Sequence, residues 1–247
     1  IAGTYRLQKS MDAPKIVEYL TEGRVAVDLF TILPARNLQQ IKAAFLDEDY
    51  TEAAVDAALN PELYSGHPAL VDKPAGASLE GFLYPDSYQM LRGETKPGTI
   101  IGQSLDEMAE ALTPEIRAGI AAQGLSVYQG IILASIVERE VSSKNPSDRP
   151  QAAQVFLKRL RIGMPLQSNA TDGYPAEYDT YSIPALPPGP ISNVSKSSLQ
   201  AVASPSQTDF LYFVAGCDGV TRFSSTIDQH EALKSAHGIS GVSPQCR

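Results

Sequence analysis

The sequence predicts an α+β fold, a small module of about 60 residues followed by a larger mixed domain. Three observations carry the prediction. Strand-like and helix-like segments alternate over the first sixty positions, the composition then turns to Pro, Gly, Ser and Asp over residues 60–78, and helical periodicities dominate from there to a C-terminal strand pair.

Taken in order, AGTYRLQ at 2–8 reads as a strand. DAPKIVEYLTEG reads as a helix, with Asp12 as N-cap, Pro14 in the first turn, Ile16, Val17 and Leu20 turned inward, and Gly23 as the stop. VAVDLFTI at 25–32 alternates like a strand, and NLQQIKAAFL follows as a helix capped by Asn37, with Leu38, Ile41 and Phe45 on one face. TEAAVDAAL at 51–59 fits a third helix. The stretch NPELYSGHPALVDKPAGAS reads as a linker, so the domains are placed at 1–62 and 80–247 with 63–79 between them. Helices are expected near 101–112, 114–122, 127–141, 148–162 and 196–203, with a Pro-rich unstructured tract over 165–195. The strand pair DFLYFVA and TRFSS and a terminal helix, TIDQHEALKSAH, complete the chain.

Composition narrows the function. A chain of 247 residues, 43% hydrophobic, can bury a substantial core. The net charge of -8 and the lack of a long basic run argue against nucleic acid as a partner. The longest apolar run, GIILASIV, is far shorter than the roughly 20 residues a bilayer span requires. The chain opens on Ile1 and not Met, which reads as a processed or trimmed form with any anchor lying upstream. Cys217 and Cys246 are too few for a disulfide framework and lack zinc-ligand spacing, although one bridge between them is open.

The stretch ILASIVEREV at 132–141 places acids in an apolar helix. At 100° per residue Glu138 falls between Ile131 and Ala134, and Glu140 is flanked by Leu133 and Ile136. Burial raises a carboxyl's pKa and prepares it to donate a proton near neutrality. The competing reading ties one or both acids into an ion pair, with Arg139 or another base. Helical phase does not choose between the two glutamates. The tract over 164–195 supplies hydroxyls, amides and tyrosines on a Pro-stiffened backbone, a surface suited to sugar hydroxyls.

Six ordered stretches, EGFLYPDSY at 80–88, LASIVERE at 133–140, FLKRLRIGMPLQS at 156–168, YDTY at 178–181, LPPGPISN at 186–193 and DFLYFVA at 209–215, resemble the endolytic murein transglycosylases of the MltG (YceG-like) family. AGTYRL and the pieces after it resemble that family's LysM-like subdomain. The resemblance implies a LysM-like module followed by an α+β catalytic domain, held by an N-terminal membrane helix on the cell-wall side. It implies cleavage of the MurNAc–GlcNAc β-1,4 bond of peptidoglycan strands to leave 1,6-anhydro-MurNAc ends, with no cofactor or metal and with peptidoglycan synthases as further partners. The family's catalytic glutamate corresponds, on this resemblance, to Glu138, which separates it from Glu140. Glu80, Gln167, Ser168, Asn169, Thr180 and Tyr181 are then the expected substrate-binding residues, with Asp86 in a turn. Arg149, Lys158, Arg159 and Arg161 are expected either to meet stem-peptide carboxylates or to form a solvated helix face.

The sequence departs from the family pattern at Asn169-Ala170-Thr171, where Asp-Pro-Thr is usual, at Asp179 in place of Asn, and at Leu-Pro-Ala in place of Pro-Glu-Gly. Two other readings stand beside the enzyme: a non-catalytic wall-binding module, and a serine hydrolase using Ser135 with His230 or His237. The second lacks a Gly-x-Ser-x-Gly elbow.

Overall fold

The computed structural model describes residues 11–21, 28–91, 94–141, 145–216 and 220–237. The expected strand at 2–8, the Gly23 stop, and both cysteines lie outside them. Helix α1 (Ala13–Thr21) starts as predicted, with Asp12 Oδ1 accepting the Lys15 N–H at 2.9 Å. Its apolar side is not inward among the described residues, since Val17 and Leu20 are 57% and 38% exposed.

Strand β1 (Asp28–Thr31) alternates as its sequence requires, Leu29 outward and Phe30 buried. Helix α2 (Leu38–Asp47) opens with a capping box in which Asn37 and Gln40 exchange side chain to backbone hydrogen bonds. It buries Ile41 and Phe45, and the Phe45 ring stacks on Phe30 at 4.0 Å. Helix α3 (Glu52–Ala58), capped by Thr51, adds Val55.

The segment read as a linker is folded. Residues 61–64 and 68–70 form single 3-10 turns, Ala69 and Leu79 are fully buried, and Asp72 pairs with Arg117. Strand β2 (Ser87–Met90) then returns to pair antiparallel with β1, Phe30 opposite Tyr88. Residues 28–59 and those beyond 80 therefore share one hydrophobic core. A two-residue edge of Pro and Gly looks like punctuation in a sequence, but only the fold shows whether apolar side chains between such edges find a core.

Helices α4 (Pro97–Ala111), α5 (Pro114–Ala122), α6 (Val127–Glu140), α7 (Arg149–Arg161) and α8 (Lys196–Ala203) make the body, with α6 packed against α5, α7 and α8. Every residue of α6 from Gly130 to Glu138 is buried, so this helix has no washed face over that span. A hairpin of β3 (Tyr212–Ala215) and β4 (Thr221–Ser224) carries α9 (Ile227–Ala236).

The tract over 165–195 is ordered rather than unstructured. It contains 3-10 turns at 169–171 and 176–178 and buries Leu166, Thr171, Thr180 and Ile191 through Val194. Asn193 ties it to the chain before α2, accepting the Arg36 N–H at 3.0 Å and donating to the Leu33 carbonyl at 3.0 Å. Gly81 sits under it at φ 85°, where an added Cβ would lie 2.6 Å from the Pro190 ring. Gly81→Ala is expected to cost roughly 2–4 kcal/mol, from the left-handed backbone plus the clash. Gly76→Ala, at φ 78° with open space around it, should lose only the backbone part. Equal urea midpoints for the two variants would contradict the close contact.

Candidate active site

The last turn of α6 holds both acids, and the fold gives them opposite surroundings. Glu138 is 4% exposed. Its Oε1 accepts from Arg149 Nη2 at 2.7 Å, and its Oε2 accepts from the Ser195 N–H at 2.9 Å, Ser195 Oγ at 2.6 Å and Ser198 Oγ at 2.7 Å. Arg149 in turn donates to Ser195 and Ser197. Both oxygens are thus committed to a buried network joining α6, α7 and the start of α8. The sequence left two settings open for this carboxyl, an unpaired acid on an apolar stripe or an ion pair with a base; in the structure it is one half of an ion pair with Arg149, sealed from solvent.

Glu140, two residues on, points elsewhere. It is partly buried and lines a cavity of about 660 Å³ together with Gln167, Asn169, Tyr181, Tyr212 and His230. Its Oε1 accepts from Ser168 Oγ and from the Ala170 N–H at 3.3 Å. Burial raises its pKa above the ordinary carboxylate value. The Ser168 and Ala170 donors and the Arg139 charge work against that rise, and Asp172 adds to it.

The residues expected to bind substrate divide the same way. Gln167, Asn169 and Tyr181 do line the cavity, and Tyr181 OH donates to Asn169 Oδ1 at 2.6 Å. Gln167 holds a left-handed backbone at φ 54°, braced by Arg159, whose Nη1 donates to the Leu166 carbonyl and to Gln167 Oε1. Ser168 touches Glu140 directly. Thr180 lies behind the wall, fully buried, exchanging hydrogen bonds with the Ser168 backbone at 3.0 and 3.1 Å. It shapes the loop and has no surface to offer a ligand.

Glu80 is not on this cavity. Its Oε2 accepts the Leu38 N–H at 2.9 Å at the start of α2, and its Oε1 is buried without a partner among the described residues. Burial raises its pKa from 4.5 to about 7 against the Leu38 and Gly81 N–H groups and Arg139. Because the folded value lies above the unfolded one, Glu80's contribution is complete below pH 4.5 and is lost as pH rises through about 7. Glu80→Gln, which keeps an acceptor for Leu38, is expected to gain roughly 1–3 kcal/mol on wild type between pH 5 and 8. Unfolding midpoints at the two pH values test it; parallel midpoints would remove the raised carboxyl from the account.

Other expectations also change with burial. Arg149 and Arg159 are 3% and 5% exposed, so the basic set is not one solvated face. Lys158 donates to the Asp209 carbonyl at 2.9 Å. Asp86 accepts the Ser87 N–H at 2.7 Å, a turn role. Asp179 accepts from the Tyr181 N–H at 2.9 Å and from Ser182, and these bonds, Ser182 foremost, hold its pKa down. Ser135 is fully buried, donating to the Ile132 carbonyl at 2.7 Å and accepting the Ile191 N–H at 3.0 Å, so it is a packing serine with no open face. The β3 and α9 side of the cavity, with Tyr212, His230 and Lys234, was not among the expected substrate-binding residues, although Tyr212 lies in the DFLYFVA stretch that carries the family resemblance.

Comparisons with known proteins identify the family and the overall fold. The profile of the YceG-like family matches residues 1–236. An endolytic murein transglycosylase of Bacillus subtilis (strain 168) is 31% identical over 261 residues, covering 94% of this chain and 72% of that protein. An endolytic murein transglycosylase of Streptococcus pneumoniae serotype 2 (strain D39) is 26% identical over 284 residues, covering 96% of this chain and half of that protein. The crystal structure of a yceG-like protein from Listeria monocytogenes superposes with a TM-score of 0.71 at 28% identity, covering 94% of this chain and 85% of that one.

Proposed function

The chain belongs to the YceG-like family, and from that premise we propose that it is a lytic transglycosylase that cuts peptidoglycan strands internally at the MurNAc–GlcNAc β-1,4 bond. The names of its relatives support the activity. The observation that carries the residue assignment is the contrast within one helical turn. Glu140 opens onto a cavity with a raised pKa, whereas Glu138 is closed in by four donors.

Glu140 is the acid in this reading. Protonated, it gives its proton to the glycosidic oxygen as the bond to the MurNAc anomeric carbon breaks, and GlcNAc leaves with a free 4-hydroxyl. The carboxylate so formed is held by the Ser168 hydroxyl and the Ala170 N–H. It then removes the proton from the MurNAc 6-hydroxyl as O6 closes on the anomeric carbon. The product is a 1,6-anhydro ring, Glu140 is again protonated, and no water is consumed. One carboxyl suffices because the substrate supplies its own nucleophile, unlike the two-carboxyl glycosidases. Gln167, Asn169 and Tyr181 supply amide and hydroxyl partners for the sugars and for developing charge. Glu138 is a positioning residue that fixes the last turn of α6.

Digestion of purified glycan strands with analysis of the released ends tests the reaction. Anhydro-MurNAc ends are the expected result. Reducing MurNAc ends would make the protein a hydrolase, and intact strands with retained binding would make it a wall-binding module. The same reading puts the protein outside the cytoplasm, facing the wall beside peptidoglycan synthases, with residues 1–62 as a LysM-like part and a membrane helix preceding them. Its support is the family resemblance. Among the described residues no single helix is long and apolar enough to cross a membrane.

A further inference from the structure

We infer that the β3 and α9 wall of the cavity is a subsite for a carboxylate carried on the glycan, with Lys234 as its cationic partner and the paired rings of Tyr212 and His230 as its floor. The inference rests on the proposed glycan-cleaving reading and names a feature of the strand that this site recognises. The cavity has two unlike sides. The α6, α7 and loop side carries Glu140, amide and hydroxyl groups and the guanidinium groups of Arg139 and Arg159, while the facing side carries two stacked rings and the Lys234 ammonium with Glu231 beside it.

The rings of Tyr212 and His230 stack 5.5 Å apart at 30°, and the Arg159 guanidinium sits 5.4 Å from the Tyr212 centroid, so this side of the cavity is built on a packed aromatic and guanidinium cluster. His230 Nδ1 is buried with no partner among the described residues. Burial, then the nearby Lys234 charge, holds the His230 pKa down, so the ring is neutral at neutral pH and leaves the positive role to its neighbours.

Of the cations around the cavity, two are engaged by the protein. Arg159 donates to the Leu211 and Leu166 carbonyls and to Gln167 Oε1, and Arg139 donates to Tyr174 OH at 3.2 Å. Lys234 is held differently. Its Nζ meets Glu231 Oε1 at 3.1 Å across one helical turn, and the Glu231 side chain is 58% exposed. An ammonium has three donors and an exposed pair of this type is weak, so an arriving carboxylate can share or replace Glu231. Murein strands offer such a group in two places, the free lactyl acid of a peptide-stripped MurNAc and the acids of a stem peptide. A chitooligosaccharide offers none.

Binding is measured by calorimetry in a Glu140→Gln background, which blocks turnover, with and without Lys234→Gln. The ligands are a chitooligosaccharide, peptide-stripped murein oligosaccharides and the same oligosaccharides with stem peptides. Loss of one charge-assisted bond is expected to weaken a carboxylate-bearing ligand about tenfold and the chitooligosaccharide less than about twofold. The ligand that loses affinity identifies the source of the acid. Equal effects on all three ligands, or none, would overturn the inference while leaving the cleavage reading in place; failure of every glycan to bind would overturn both.

Discussion

Glu140→Gln is expected to lower strand cleavage by roughly a hundred- to ten-thousandfold, the range a positioned general acid contributes, while leaving the fold intact. Glutamine keeps the volume and an acceptor for Ser168 and Ala170 but can neither give nor take the proton. The measurement is the rate of release of anhydro-ended fragments from purified strands, alongside thermal unfolding. Retention of a tenth or more of wild-type activity would remove Glu140 from the reaction. Because its folded pKa is raised, Glu140's stability contribution is present at low pH and lost as pH rises through that value. The glutamine variant should therefore unfold at a higher temperature than wild type at neutral pH. For the same reason, wild-type activity should hold above the ordinary carboxylate range and fall on the alkaline side as the acid ionises.

Glu138→Ala and Arg149→Ala should each destabilise the protein by about 3–5 kcal/mol, because each leaves its partner charged and uncompensated in the interior. Glu138 has its side chain 1% exposed and Arg149 4%, so solvent cannot take over the lost contact. The loss also strands Ser195 and Ser198, which donate to Glu138 from the start of α8. A combined Glu138→Leu, Arg149→Met variant should recover a large part of the loss, since neither charge is then left buried alone. Urea midpoints for the three variants decide it; a single variant that moves stability by less than about 1 kcal/mol would mean that the pair is not closed to solvent. Activity separates the two glutamates further. The Glu138 variants should regain cleavage where they are kept folded, by lower temperature or stabilising salt, whereas Glu140→Gln should not.

The helices were legible because their signals are local. Asn37 with Gln40, Thr113 before Pro114, and Ser126 with Gln129 each satisfy backbone donors within one turn, so a short stretch of chain holds all the information. The partner of β1 was not legible. Its register with Ser87–Met90 crosses some sixty intervening residues, and the turn-rich segment between the strands hid buried Ala69 and Leu79. Within the site, the loop residues Gln167, Asn169 and Tyr181 could be picked out by type and place, but their division from buried Thr180 could not.

The sequence alone determined that an apolar helix carries two acids in its last turn, that a polar loop follows, and that the ordered motifs resemble those of the YceG-like family. Only the tertiary structure decided which acid faces a cavity. Two residues along a helix rotate a side chain by about 200°, so Glu138 and Glu140 meet different neighbours: Arg149, Ser195 and Ser198 on one side, an open space walled by Tyr181 and Tyr212 on the other. Those neighbours lie far away in the chain, and a carboxyl's chemistry is set by what surrounds it rather than by its own position in the sequence.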